Sequence, residues 1–251
     1  MANTLQNFYY DNLDEFNLNY SEKSEKHLRF FQWNIRGMND IKKFDSILEF
    51  LDLCEVRLDI LVIGEIWLKA ENTLLYEISG YQSIFSCRNS SSGGLAIYIS
   101  KHIQFRNISS EVYNGLHHIH IELKSHEKLY DVHAVYRPPS FDVNCFLDKV
   151  EEWVSSSNPS HPCFILGDVN IPMNLIQNNV VIRYKTLIES YAMLCTNTFE
   201  TRPSSNNLLD HVVCRQDDLN RLRNDSIFSD VSDHIPVIST LKEYTGKIQL
   251  L

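Results

Sequence analysis

The order of predicted elements gives an α/β fold, of the α+β kind, with two sheets packed face to face and helices on the outside. Three observations carry this expectation. Two apolar runs, at 28–34 and 59–65, flank a stretch of helical period, the sign of a strand–helix–strand unit. Five short β-branched or aromatic runs crowd into residues 81–136, separated by turn residues. Helical stripes then alternate with single strands as far as residue 241.

Taken in order, residues 1–27 are rich in Asn, Asp, Glu, Tyr and Ser and read as a poorly ordered polar leader. Leu28–Asn34 is the first strand, ended by Arg36-Gly37. Asn39 or Asp40 is a fitting N-cap for a helix over 40–57, where Ile41, Phe44, Ile47, Leu48 and Leu51 recur at helical spacing. Asp59–Glu65 is a second strand. Runs at 81–86, 94–100, 103–108, 117–123 and 128–136 form a β meander, punctuated by Ser90–Gly94 and Asn114-Gly115. Pro138-Pro139 stops it. Phe141–Ser156 carries Phe146, Val150 and Trp153 on one helical stripe. A strand at 162–168, a helix at 180–193 and strands at 208–213 and 235–241 complete the domain, 28–241, followed by a short tail, 242–251.

Bulk properties narrow the function. With 43% hydrophobic residues the chain can build a large core, which excludes global disorder. Its net charge of −9 argues against binding nucleic acid through overall basicity, though a local basic rim or metal ions could still do so. Six scattered cysteines form no zinc pattern, and Cys54, Cys163 and Cys195 read as core thiols of a reducing compartment. No apolar run approaches the roughly 18 residues of a membrane span, and no secretory signal is visible. The expectation is a soluble intracellular protein, nuclear or cytoplasmic, with no membrane partner.

The chemistry gathers at strand ends. Asn34, Glu65, Tyr136, Asp168 with Asn170, Asp210, and Asp233-His234 each stand where an apolar run closes. One such residue is ordinary turn chemistry. Six together offer oxygen ligands without cysteine, which is what a hard cation such as Mg²⁺ requires. A histidine beside an aspartate suits acid–base work or stabilisation of a transition state. Together they describe metal-assisted phosphoryl chemistry with water as nucleophile.

These residues sit in six blocks: Gln32-Trp33-Asn34-Ile35-Arg36-Gly37, Gly64-Glu65-Ile66-Trp67-Leu68, Val135-Tyr136-Arg137-Pro138-Pro139, Leu166-Gly167-Asp168-Val169-Asn170, Leu209-Asp210-His211-Val212 and Ser232-Asp233-His234-Ile235-Pro236-Val237. In order and content the set resembles the signature blocks of the endonuclease/exonuclease/phosphatase superfamily. Within it, the chain looks most like the apurinic-type endonuclease domain of non-LTR (LINE-type) retrotransposons. The resemblance implies a four-layer α/β/β/α sandwich, two packed mixed sheets flanked by helices. It implies a hydrolase that uses Mg²⁺, with Mn²⁺ able to substitute, to nick double-stranded DNA and leave a 3′-hydroxyl for reverse transcription. No reverse-transcriptase region lies within these 251 residues.

By the same resemblance Glu65 is the principal metal ligand, assisted by Asn34, with Asp233 near metal. Asp168 orients or deprotonates the attacking water. Asn170 and Tyr136 hold the scissile phosphate. His234, oriented by Asp210, completes the catalytic group, with Ser232 beside it as an expected substrate contact. Arg36 and Arg137, flanking site blocks, are the expected DNA-contacting cations, and Thr201, or Thr198 close by, the DNA-contacting threonine. Ile66 departs from the usual Thr or Ser after the glutamate, Gly64 from a polar residue, and Val169 from Phe. The same residues would serve a phosphatase or a lipid phosphodiesterase, and an inactive retroelement remnant could keep the fold as a binding module. His118, His120 and Glu122 read as a solvated strand face, and His133 as a core histidine. The polar loop 202–207, just before Asp210, is a candidate for choosing the DNA sequence.

Overall fold

The computed structural model describes residues 5–21, 24, 26–87, 92–125 and 127–242. In chain order the elements are β1 Gln6–Tyr10, α1 Leu13–Asn19, β2 Leu28–Asn34, α2 Ile41–Leu53, β3 Ile60–Gly64, β4 Tyr81–Ser86, β5 Leu95–Ser100, β6 Gln104–Tyr113, β7 Leu116–Ser125 and β8 Lys128–Tyr136. They continue as α3 Val143–Ser156, β9 Cys163–Asp168, α4 Asn179–Ser190, β10 Met193–Cys195, β11 Asp210–Arg215, β12 Leu222–Ile227 and β13 Val237–Leu241. One sheet runs β1-β12-β13-β2-β3-β5-β4 and the other β10-β11-β9-β8-β7-β6. Both are mixed: β1/β12, β2/β3 and β8/β9 pair parallel and the remaining neighbours antiparallel.

Three apolar layers hold these elements as an α/β/β/α sandwich. The central one packs Phe30, Val62, Ile97 and Val237 of the first sheet against Val132, Leu166 and Val212 of the second. Phe30 and Phe164 meet across it at 4.8 Å between ring centroids. The first sheet's outer face buries Phe31, Trp33 and Ile63 under Phe44, Ile47 and Phe50 of α2. The second buries Val135, Ile165 and Val213 under α3 and α4. The alternation along β2 explains this. Phe30 faces the partner sheet and Phe31 the helix, because successive side chains point to opposite faces. Each long helix starts on a side-chain cap: Asp40 accepts from Lys42 N, Asp142 from Cys145 N and Asn178 from Val180 N.

Several expectations are corrected. Residues 6–19 are not a disordered leader but a strand and a helix. β1 extends the first sheet beside β12, and Phe16 is fully buried against Tyr10 and Tyr20. Most of the predicted tail, 243–251, lies outside the described residues. β12 went unpredicted because Leu222-Arg223-Asn224-Asp225-Ser226-Ile227 reads as polar loop, yet all six residues are buried. Its polar groups are satisfied internally: Arg223 pairs with Asp225 at 2.7 Å, and Asn224 donates to Thr196 Oγ1 and accepts from Ser239. The strand expected over 103–108 extends to Tyr113 as an exposed sheet edge.

The histidine face of β7 is also buried, not solvated. His118 and His120 lie under α3, where His118 stacks on Trp153 at 3.9 Å and His120 on His133 at 4.1 Å. All six cysteines are free thiols; Cys54, Cys163 and Cys214 are buried and Cys195 only partly so. No helix among the described residues is long and apolar enough to cross a membrane.

Candidate active site

Strand polarity brings the six blocks to one place. Asn34 and Gly64 are register partners at the ends of parallel β2 and β3. Tyr136 and Asp168 are partners at the ends of parallel β8 and β9. Asp210 does not close its strand, as the sequence suggested, but opens β11, which runs antiparallel to β9 and so sets Asp210 opposite Asp168. His234 sits on the loop entering β13. The shared edge of the two sheets carries all of them.

Backbone strain marks the same edge. Arg36, Glu65, Trp67 and Asn170 all have left-handed φ, between 46° and 54°. Non-glycine residues adopt this conformation only where their surroundings enforce it, and such positions cluster at functional sites. Gly167, at φ 130°, has no substitute: a Cβ there would lie 2.0 Å from the Val135 carbonyl oxygen. Gly64 is different, since a Cβ would meet Asn34 at an ordinary 3.6 Å.

One amide ties the two sheets together. Asn34 Nδ2 donates to Glu65 Oε1 at 2.9 Å and to Asp168 Oδ2 at 2.7 Å, while its Oδ1 accepts from Arg36 N. Asn34 therefore orients the two carboxylates through its amide hydrogens, while its Oδ1 holds the Arg36 backbone. Glu65 Oε2 accepts from Trp67 Nε1 at 3.1 Å. Asp168 is further fixed by Asn170, whose backbone N donates to Oδ1 and whose Nδ2 donates to Oδ2. That Nδ2 also donates to Arg137 O, so both amide hydrogens of Asn170 are engaged within the protein. Tyr136 is buried at the cavity wall.

Across the cleft His234 Nδ1 bonds Asp210 Oδ2 at 2.7 Å, with both residues buried. Burial opposes the charge on His234, but Asp210 outweighs it and raises the pKa to about 9. Burial, reinforced by the Asp210 charge, pushes the Asp168 carboxyl up to about 8. Trp33 Nε1 donates to His234 O, and Ser232 Oγ donates to Asn34 O at 2.7 Å, which locks the histidine loop onto β2. Ser232 is thus an anchor in this structure rather than a substrate contact.

Two other expected substrate contacts also prove structural. Arg137 is 2% exposed, and its guanidinium donates to Val169 O, Asn170 O and Phe141 O. It staples the Asp168–Asn170 loop to the turn after Pro138-Pro139 and does not reach the rim. Thr201 is fully buried: its Oγ1 accepts from Leu209 N and Asp210 N, both at 3.0 Å, and its carbonyl accepts from Ile235 N. It therefore joins the Asp210 strand to the His234 loop, while Thr198 is exposed. Ile66 is fully buried in the outer core, where an apolar side chain fits without a hydroxyl.

Asp233, expected near metal, is occupied. Its Oδ2 accepts from Arg36 Nη1 at 2.7 Å and Arg202 Nε at 3.1 Å. Arg202 opens the polar loop 202–207 expected to help choose the DNA sequence, and the sequence gives it no separate role. It lines a cavity of about 350 Å³ together with Arg36, Glu65, Tyr136, Asp168, Asn170 and His234. A larger cavity, of about 640 Å³, lies around His161, Arg215, Asp217, Asp218 and Arg221 and holds none of the residues of the six blocks.

The residues fit a hard divalent cation. Asp168 and Asp210 are two buried carboxylates in one site, and no lysine or arginine side chain bonds Asp168 among the described residues. Ligand atoms of Asp168, Asp210 and His234 lie within 4.8 Å of one another. Because Nδ1 of that histidine is already bonded to Asp210, we read this trio as an acid–base group. Glu65, half-buried on the cavity wall, is a carboxylate that could hold the cation. A second group, Glu122, Asp131 and His161, lies elsewhere and is internally paired, Asp131 with His120 and His161, and Glu122 with Arg106.

Comparison with known proteins agrees with this geometry. The profile of the Endonuclease/Exonuclease/phosphatase family matches residues 31–234. No curated protein matches the chain. Among solved structures, the endonuclease domain of TRAS1, a telomere-specific non-LTR retrotransposon, is 13% identical with a TM-score of 0.66, over 86% of this chain and 98% of that one. The D. rerio TDP2 complex with a single-strand DNA product is 12% identical with a TM-score of 0.67, over 87% of this chain and all of that one. The 3′-5′ exonuclease of Neisseria meningitidis is 15% identical with a TM-score of 0.65, over 86% of this chain and all of that one. At these identities the likeness is one of fold. The family match spans most of the chain and reaches from the first of the six blocks to His234 in the last, so the chain belongs to the endonuclease/exonuclease/phosphatase family.

Proposed function

We propose that the chain is a divalent-metal-dependent DNA endonuclease that hydrolyses one phosphodiester and leaves a 3′-hydroxyl. The observation that carries this reading is the convergence of Glu65, Asp168 and the Asp210–His234 pair on one cavity, with Asn34 holding Glu65 and Asp168 together. A bound Mg²⁺, held by Glu65, supplies charge neutralisation at the phosphate oxygens.

The chain's own residues do the rest. Asp168 in its ionised form, aimed by Asn34 and Asn170, orients the attacking water and accepts its proton, and the leaving 3′-oxygen takes a proton from solvent to give the 3′-hydroxyl. His234, kept protonated by Asp210, donates a hydrogen bond to a non-bridging oxygen as charge develops there. Tyr136 borders the same cavity and steadies the phosphate. The TRAS1 domain and the DNA-bound TDP2 among the structural relatives support DNA as substrate.

Supercoiled plasmid with Mg²⁺ tests this. The parent chain is expected to give nicked circles, EDTA to stop the reaction, and Asp168→Ala and His234→Ala each to lower the rate at least about 10²-fold. An inert parent, or equal nicking by all three proteins, refutes the proposal.

A further inference from the structure

The Arg36–Asp233–Arg202 bridge is unexplained by hydrolysis at a single phosphate. Asp233 stands beside His234, where a carboxylate invites a second cation, yet two guanidiniums fill that position. Both arginines remain accessible, with side chains 47% and 34% exposed, and both line the catalytic cavity. Each spends one described hydrogen bond on Asp233, out of the five N–H donors of a guanidinium. Their backbones are held by the site itself. Arg36 N donates to Asn34 Oδ1, and the Arg202 segment bridges to Asn207 just before Asp210. Lys43 Nζ, reaching the Arg36 carbonyl at 3.3 Å, adds a third positive group to this rim.

We infer that Arg36 and Arg202, braced by Asp233, form a clamp for a second phosphate, the one adjacent to the scissile phosphate on a DNA strand. This rests on the nuclease reading and sharpens it, because such a clamp selects a polynucleotide over a phosphomonoester or a lipid head group. The charge balance agrees. A chain of net charge −9 does not attract DNA by its overall field, so a local basic rim such as this one, beside any bound metal, supplies the attraction. Guanidinium forks suit phosphate oxygens, and Asp233 holds the two forks in place before the ligand arrives.

The test is equilibrium binding of a fluorescent duplex across a salt series, with Mg²⁺ present and on the His234→Ala background so that the DNA stays intact. Adding Arg202→Gln or Arg36→Gln is expected to weaken binding about tenfold. The slope of log K against log salt should become shallower by about 0.9 for each. Arg202→Lys should keep the slope, since a point charge still releases the counterion. Thermal melts confirm that each variant is folded. An unchanged slope in both glutamine variants overturns the clamp, as does a background protein that binds no duplex. Plasmid nicking by the parent is scored separately. A protein that binds through the clamp but never nicks refutes hydrolysis and leaves the clamp standing.

Discussion

At the scale of single residues, backbone contacts decide more than side-chain chemistry. Gly167 precedes Asp168, and any Cβ would collide with the Val135 carbonyl. Gly167→Ala is expected to destabilise the fold by about 3 kcal/mol or more, read as a lowered denaturant midpoint; a loss under about 1 kcal/mol would show that β8 and β9 can part freely there. Thr201 was legible as a site residue but not in its role. Its hydroxyl receives two backbone N–H groups of the strand that carries Asp210. Thr201→Val leaves both donors buried and unmatched, so a cost of about 2 kcal/mol is expected, with a reduced nicking rate and an unaltered salt dependence of DNA binding. A changed salt slope would return Thr201 to the DNA surface. Arg137 follows the same pattern: the sequence placed it beside the site, and only its three carbonyl partners reveal it as a staple.

At the scale of elements, the N-terminal strand and helix and the histidine-rich strands depart furthest from expectation. The segment 6–19 lacks a long apolar run, so composition alone reads it as solvent-exposed. Yet Phe16 is fully buried, and β1 covers the edge of the polar strand β12. Phe16→Ala should cost about 3–5 kcal/mol in urea denaturation, whereas a detached leader would lose nothing measurable. On β7 and β8, burial under α3 keeps two histidines neutral: it lowers His118 to about 3 and His133 well below its ordinary value, with neighbouring His120 adding to both shifts. The sign follows directly. The unfolded chain takes up protons below about pH 6.5 that the folded chain refuses, so stability is full above that pH and falls as pH falls. The loss should approach about 1.4 kcal/mol per pH unit for each histidine, read on an Asp168→Asn background because the raised Asp168 carboxyl gives the opposite slope over the same range. Denaturation midpoints at a series of pH values measure it, and a flat profile between neutral pH and the low-pH limit would contradict neutral burial.

At the scale of the whole molecule, two mixed sheets present one common edge, and the site is the set of chain ends and starts along it. Most of this was readable in the sequence. Apolar runs of strand length fix β2, β3, β8 and β9, helical stripes fix α2, α3 and α4, and the polar residues closing the runs name Asn34, Glu65, Asp168 and His234. Their periodicity is local physics, because burial of alternate or every third to fourth side chain leaves its mark in the order of residues. What the order of residues could not convey is pairing between distant segments. β12 is a strand only because β1 and β13 satisfy its backbone. The β7 histidines are buried only because α3 lies across them. Asp210 meets Asp168 because β11 runs antiparallel to β9. The sequence by itself determined the family blocks and the polar residues that the proposed chemistry uses. The tertiary structure alone decided which polar groups face the cavity and which hold it together, since partners for hydrogen bonds and charges are chosen by proximity in space.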